Sequence, residues 1–77
     1  MIEKISIGTI IKHHRKKAGL SQRDLADLAG VGKTVVFDIE KGKETIQFKS
    51  LSRVLEALNI KILYDSPLMD KLISDRK

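Results

Sequence analysis

The chain has 77 residues with no cysteine, and 15 Lys plus Arg stand against 10 Asp plus Glu for a formal charge of +5. One domain with a small core is all this length holds, and the lack of cysteine excludes disulfide staples and cysteine–zinc sites. No apolar run approaches the ~20 residues of a membrane span and the N-terminus lacks a signal-peptide core, while the basic excess suits a polyanionic partner.

Residues 1–6 read as a short lead in which Ile2 and Ile5 recur, either frayed or a short strand. Ser6 is placed to cap a first helix over residues 7–17. Ile7, Ile11, Arg15 and Ala18 share one face of it, flanked by Ile10 and His14, with Lys12, Lys16 and Lys17 elsewhere. Gly19 ends this helix and Leu20 reads as a plug before the next. An arginine on an apolar face needs a partner, because a buried guanidinium without one is costly. Glu40, beside Ile39 and one turn after Val36, has the same need. Either the two pair across the domain, or both reach out to solvent along their stems.

Leu25, Ala26, Leu28 and Ala29 give a second, short amphipathic helix over 22–29, with Ser21 as N-cap and Asp24 as the acidic third residue. Gly30 supplies a left-handed exit. Val31, Val36 and Ile39 mark a third helix over about 33–41, which Gly42 is placed to terminate. Two short helices joined by a glycine-containing turn make the motif that lays its second helix in the DNA major groove. Ala26 sits where a larger side chain would force those helices apart.

The third helix presents Lys33, Thr34, Phe37 and Asp38 away from its core face, with Val35 at the edge. Lys33 can donate to guanine O6 or N7, and Thr34 can bond a base edge or touch a thymine methyl. Val35 or Phe37 can make apolar contact with such methyls, and Asp38 can accept from a cytosine amine, deter a wrong base, or pair with Lys33 or Lys41. Gln22, opening the second helix, is placed to bond a phosphate through side chain and backbone N–H. Lys41 and Lys43 reach flanking phosphates, or are simply solvated charges.

Phe48, Leu51, Val54, Leu55 and Leu58 form the stripe of a fourth helix over about 47–58, which Asn59 can end. The run 60–64, IKILY, changes period to two: Ile60, Ile62 and Tyr64 point one way, Lys61 and Leu63 the other. A lone strand leaves donors and acceptors unpaired. The same segment of a second copy would give an antiparallel ribbon across a dimer axis, with Ile60, Ile62, Leu63 and Tyr64 at the interface. A fifth helical turn, or pairing with the lead, are the alternatives. Ser66-Pro67 then opens a short helix with Leu68, Met69, Leu72 and Ile73 on one face, before a polar end. The expected divisions are thus 1–6 lead, 7–59 DNA-binding domain, 60–64 dimerisation strand and 65–77 tail.

Nothing points to an enzyme. His13 and His14 are adjacent, so they point to different faces and lack the i, i+4 spacing of a helical metal pair; one half-buried and one solvated histidine is the expectation. Ser21 and Asp24 are explained by capping, without a nucleophile–base–orienter set. No cofactor and no metal are expected.

These residues together resemble the lambda-repressor/Cro-like, or Xre-type, helix-turn-helix family over about 7–60. The likeness rests on Ile7-Gly8, Ile11, Arg15, Gly19-Leu20-Ser21-Gln22, Leu25-Ala26, Gly30-Val31, Val36, Ile39-Glu40, Gly42 and the fourth-helix set ending Ala57-Leu58-Asn59-Ile60. It implies an all-α, four- to five-helix DNA-binding domain, here followed by a short dimerising β-strand. It also implies an internal salt bridge between Arg15 and Glu40, a phosphate contact from Gln22, and base-facing Lys33, Thr34 and Asp38. Phe37 and Gly32 depart from the more usual polar residues, so base preference does not carry over. Four helices followed by a strand are similar to the HipB-like antitoxins. That likeness implies a cytoplasmic, bacterial, nucleoid-associated homodimer on a palindromic operator, with a serine/threonine-kinase-type toxin as partner and repression of its own operon. A stand-alone phage-type or metabolic regulator, or a toxin-neutralising interaction module with secondary DNA binding, are the other readings.

Overall fold

The computed structural model describes residues 5–64, 66–69 and 71–72. Four helices follow in order: α1 (Ile7–Lys17), α2 (Gln22–Ala29), α3 (Lys33–Glu40) and α4 (Phe48–Ala57). Ser6 Oγ accepts the Thr9 N–H at 3.2 Å and starts α1. At α2, Ser21 Oγ accepts from the Asp24 N–H while the Asp24 carboxylate accepts from the Ser21 N–H, both at 3.0 Å. This reciprocal box satisfies two helix-start donors, and a cap of this kind is worth ~1 kcal/mol. The Ser21 backbone N–H, then the Ser21 hydroxyl, hold the Asp24 carboxyl below its ordinary value.

The core is a single cluster of Ile11, Leu25, Ala26, Val36, Ile39, Val54 and Leu55. Ile11, Leu25, Val36 and Val54 lose all solvent contact, which stabilises the fold by roughly 1.5–3 kcal/mol for each side chain. α2 packs on α3 and α4, and α1 packs on α3. Ala26 sits buried at the centre of this arrangement, as its small size predicts.

The buried face of α1 differs from the stripe read in sequence. Ile11 and Arg15 are buried, but Ile7 and Ala18 are exposed, and Gly8 takes a buried place. A Cβ at Gly8 would collide with the Ile39 carbonyl oxygen and lie 3.2 Å from Glu40 Cα. The close approach of α1 to the end of α3 therefore requires glycine here, and it rotates the helix so that Ile7 turns outward. Leu28 is likewise 64% exposed, on the outer side of α2. Both histidines are exposed, correcting the expectation that one is half-buried. His14 Nδ1 donates to the Ile10 carbonyl at 2.7 Å.

Among the described residues no strand is formed, and the run 60–64 is neither helix nor strand in the single chain. The alternative of a fifth helical turn there is not observed. Ile60 belongs to the end of α4: its N–H donates to the Leu55 carbonyl at 2.9 Å and its side chain packs on the core. Ile62, Leu63 and Tyr64 are exposed. After Pro67, Met69, Lys71 and Leu72 are helical. The expectations for Ile2 and Ile73 lie outside the described residues.

Candidate nucleic-acid interface

α3 is held against the rest of the domain at its last residue. Arg15 Nε donates to Glu40 Oε2 at 2.7 Å and Nη2 donates to Glu40 Oε1 at 3.0 Å. Its third nitrogen, Nη1, donates to the Leu20 carbonyl at 2.8 Å. The side chains are only 10% and 4% exposed, so the pair is bidentate and almost dry, the geometry in which an arginine–carboxylate contact is strongest. Burial pushes the Glu40 carboxyl up, but hydrogen bonds from Arg15 and Gln22 and the charges of Arg15 and Lys12 outweigh it and leave it below the ordinary value. The Glu40 hydrogen bond raises the Arg15 guanidinium further against the cost of its burial.

Gln22 joins this pair. Its side-chain nitrogen donates to Glu40 Oε1 at 3.2 Å. The expected role of this amide is a phosphate contact; in the free chain one amide hydrogen is already engaged and one is left for another acceptor. The first residue of α2 is thereby tied to the last residue of α3.

The outward side of α3 carries Lys33 and Thr34, both exposed, and Phe37, 44% exposed. Val35 is half-buried and packs on the core, so less of it is exposed than its edge position suggested. Gly32 is the N-cap and has no side chain to cap the first turn. The first N–H groups of α3 are therefore open to solvent or to an anion. Two lysines expected at phosphates have partners in the protein. Lys41 Nζ lies 5.0 Å from the Phe37 ring centroid, a cation–π contact. Lys43 Nζ lies 3.5 Å from Asp38 Oδ2. Pairing with Lys33 or Lys41 is one of the roles expected of Asp38; the backbone brings Lys43 there instead. A left-handed Gly42 folds the residue after it back over the helix's last turn.

An α-helical core presenting the open end of a short second helix, one turn from its neighbour, is the geometry of a groove-reading pair. The helix-turn-helix family matches residues 11–64. The chain belongs to the helix-turn-helix family. Helix-turn-helix proteins of this kind are DNA-binding transcription regulators. The chain is 39% identical over 56 residues to an uncharacterized HTH-type transcriptional regulator, y4mF, of Sinorhizobium fredii, covering 73% of this chain and 74% of the relative. Among solved structures, a chain of the HipA-HipB-O2-O3 complex aligns at a TM-score of 0.72 and 17% identity, over 86% of this chain and 99% of that one. At that identity the likeness is one of fold. A chain of the SinR protein/SinI protein complex aligns at a TM-score of 0.65 and 30% identity, over 91% of this chain and 77% of that one. None of the helices among the described residues is long and apolar enough to cross a membrane.

Proposed function

We propose that this helix-turn-helix protein is a sequence-specific repressor that binds a palindromic operator as a homodimer, and that it serves as the antitoxin of a serine/threonine-kinase-type toxin, repressing the operon that encodes both. The observation that carries the DNA reading is the outer side of α3. Lys33 and Thr34 stand at its uncapped start, Phe37 and Asp38 follow one turn later, and Gln22 opens the neighbouring helix. In this reading Lys33, Thr34, Phe37 and Asp38 meet base edges, with Val35 at the margin. Gln22 and the lysines at 41 and 43 meet the backbone.

The dimer reading rests on the run after α4. Leu63 is 86% exposed and Tyr64 70%, and no partner for their backbone lies within the described residues. An open groove of about 630 Å³ beside them is lined by Phe48, Ser52, Leu55, Ile62 and Tyr64. A ribbon of two 61–64 segments would cover these apolar groups and pair their backbone. Ile60, bonded into the end of α4, anchors the ribbon to the core.

The antitoxin reading is supported by the fold it shares with a chain of the HipA-HipB-O2-O3 complex and by exposed Leu68 and Leu72 in the tail. Two experiments test it. The first is co-purification with the product of the neighbouring reading frame, which should be kinase-like. The second is truncation after Ser66, which should keep operator binding and weaken neutralisation of that product. Recovery of a selected operator with no toxin partner would make the protein a stand-alone regulator.

A further inference from the structure

All four helices end in one backbone geometry. Gly19, Gly30, Gly42 and Asn59 take positive φ. In each case the next N–H reaches back to a carbonyl of the helix: Leu20 to Arg15 at 3.1 Å, Val31 to Ala26 at 3.0 Å, Lys43 to Asp38 at 3.0 Å and Ile60 to Leu55 at 2.9 Å. The residue after the left-handed one normally makes an apolar contact in this motif. Leu20, Val31 and Ile60 do so, packing against the core. Lys43 alone does not. The same backbone hook that seats an apolar plug at the other three ends here carries an ammonium onto Asp38, whose side chain is 23% exposed against 55% for Lys43.

Asp38 is an unusual group to bring to DNA. The major-groove edges of guanine and thymine present acceptors to it; only cytosine and adenine present an amine. A bare carboxylate is repelled by those acceptors and by the phosphates, and repulsion of this kind rejects wrong partners as effectively as contacts select right ones. Neutralising it softens the rejection. We propose that Lys43 is a specificity-determining residue that acts through Asp38. Its ammonium compensates the carboxylate and widens the range of base pairs accepted opposite it. This rests on the reading of α3 as the base-reading helix. It differs from a plain phosphate contact, which lowers affinity for every sequence alike.

The test uses full-length protein and duplexes recovered by selection from a randomised pool. Asp38→Asn first locates the base pair opposite Asp38, as the one position whose preference relaxes. Wild type, Lys43→Met, Asp38→Asn and the double variant are then titrated against all four pairs at that position. Circular dichroism checks that each is folded. Lys43→Met should sharpen the preference there, weakening binding about tenfold more where the base facing Asp38 is guanine or thymine than where it is cytosine or adenine, a step of the size that single mismatches produce. In the Asp38→Asn background the same substitution should weaken all four equally. Equal weakening in the native background, or a flattened preference, overturns the proposal and leaves Lys43 a phosphate contact alone. Loss of the α3 reading itself would be seen separately, as Lys33→Ala and Thr34→Ala binding the selected duplex like wild type.

Discussion

Gln22, the first residue of α2, gives one amide hydrogen to Glu40, the last residue of α3. Arg15 of α1 grips both oxygens of the same carboxylate. Three helices thus meet at one buried carboxylate, which fixes the angle at which α3 leaves the domain. A groove-reading helix has to be held rigidly, since its side chains reach base edges only in a defined pose.

Removing one member of this node leaves a buried charge or donor unpaired. Arg15→Met should cost roughly 3–5 kcal/mol, because Glu40 is then stranded, and the Arg15→Met/Glu40→Gln double variant should recover much of it. Chemical denaturation of the four proteins gives the coupling energy. A coupling near zero would mean that the pair contributes nothing to holding α1 on α3.

The node also sets the response to acid. Glu40 and Asp24 are both held below their ordinary values of 4.5 and 3.8 in the folded chain. A carboxylate with a depressed folded value stabilises the native state above its unfolded value, and that stability is lost as pH falls through the folded one. Thermal midpoints should therefore be flat above about pH 5 and fall below it. Glu40→Gln should start lower and lose less across that acid window. Parallel curves for the two proteins would contradict the assignment.

Gly8 is predicted to be intolerant of even a methyl group. Gly8→Ala drives a Cβ into the Ile39 carbonyl, and an overpacked contact of this kind typically costs ~1–3 kcal/mol. The strain falls on the α1–α3 contact, so operator affinity should drop along with the midpoint of denaturation. Gly32→Ala is the control for the midpoint alone, since nothing lies within 4 Å of its added Cβ.

Much of this was legible in the residues and some was not. The helix boundaries followed from Ser6, Ser21, Gly19, Gly30, Gly42 and Asn59, because caps and left-handed exits are local chemistry. Arg15 and Glu40 announced their partnership by standing on apolar faces, where neither charge is cheaply buried alone. Gly8 and Leu28 were less legible. Helical periodicity gives a face, but which part of it meets a neighbour depends on how near the backbones come. The partners of Lys41 and Lys43 were hidden for another reason: long charged side chains choose among several anions and rings, and the backbone turn at Gly42 makes the choice. The strand expected over 60–64 is not formed among the described residues of the single chain, and the ribbon proposed for it would take its partner from a second copy.

If the dimer forms through residues 61–64, a proline there should break it. Ile62→Pro removes a backbone donor and fixes φ, which a two-stranded ribbon tolerates poorly. Sedimentation should shift from dimer to monomer, and most operator affinity should go with it, because two reading helices about 34–36 Å apart are needed to span a palindrome. Leu63→Lys tests the opposite strand face. A proline variant that stays dimeric would move the axis to α4, along Phe48 and Leu51.

Lys33→Ala decides whether α3 reads bases. The measurement is equilibrium binding of wild type and variant to a duplex recovered by selection, and to duplexes changed one base pair at a time, at fixed salt. A base-reading Lys33 gives a loss of about 1–3 kcal/mol on the selected duplex and relaxed preference at one base pair in each half-site, with other positions unchanged. An unchanged affinity for the selected duplex, or a uniform loss with every preference intact, would contradict it.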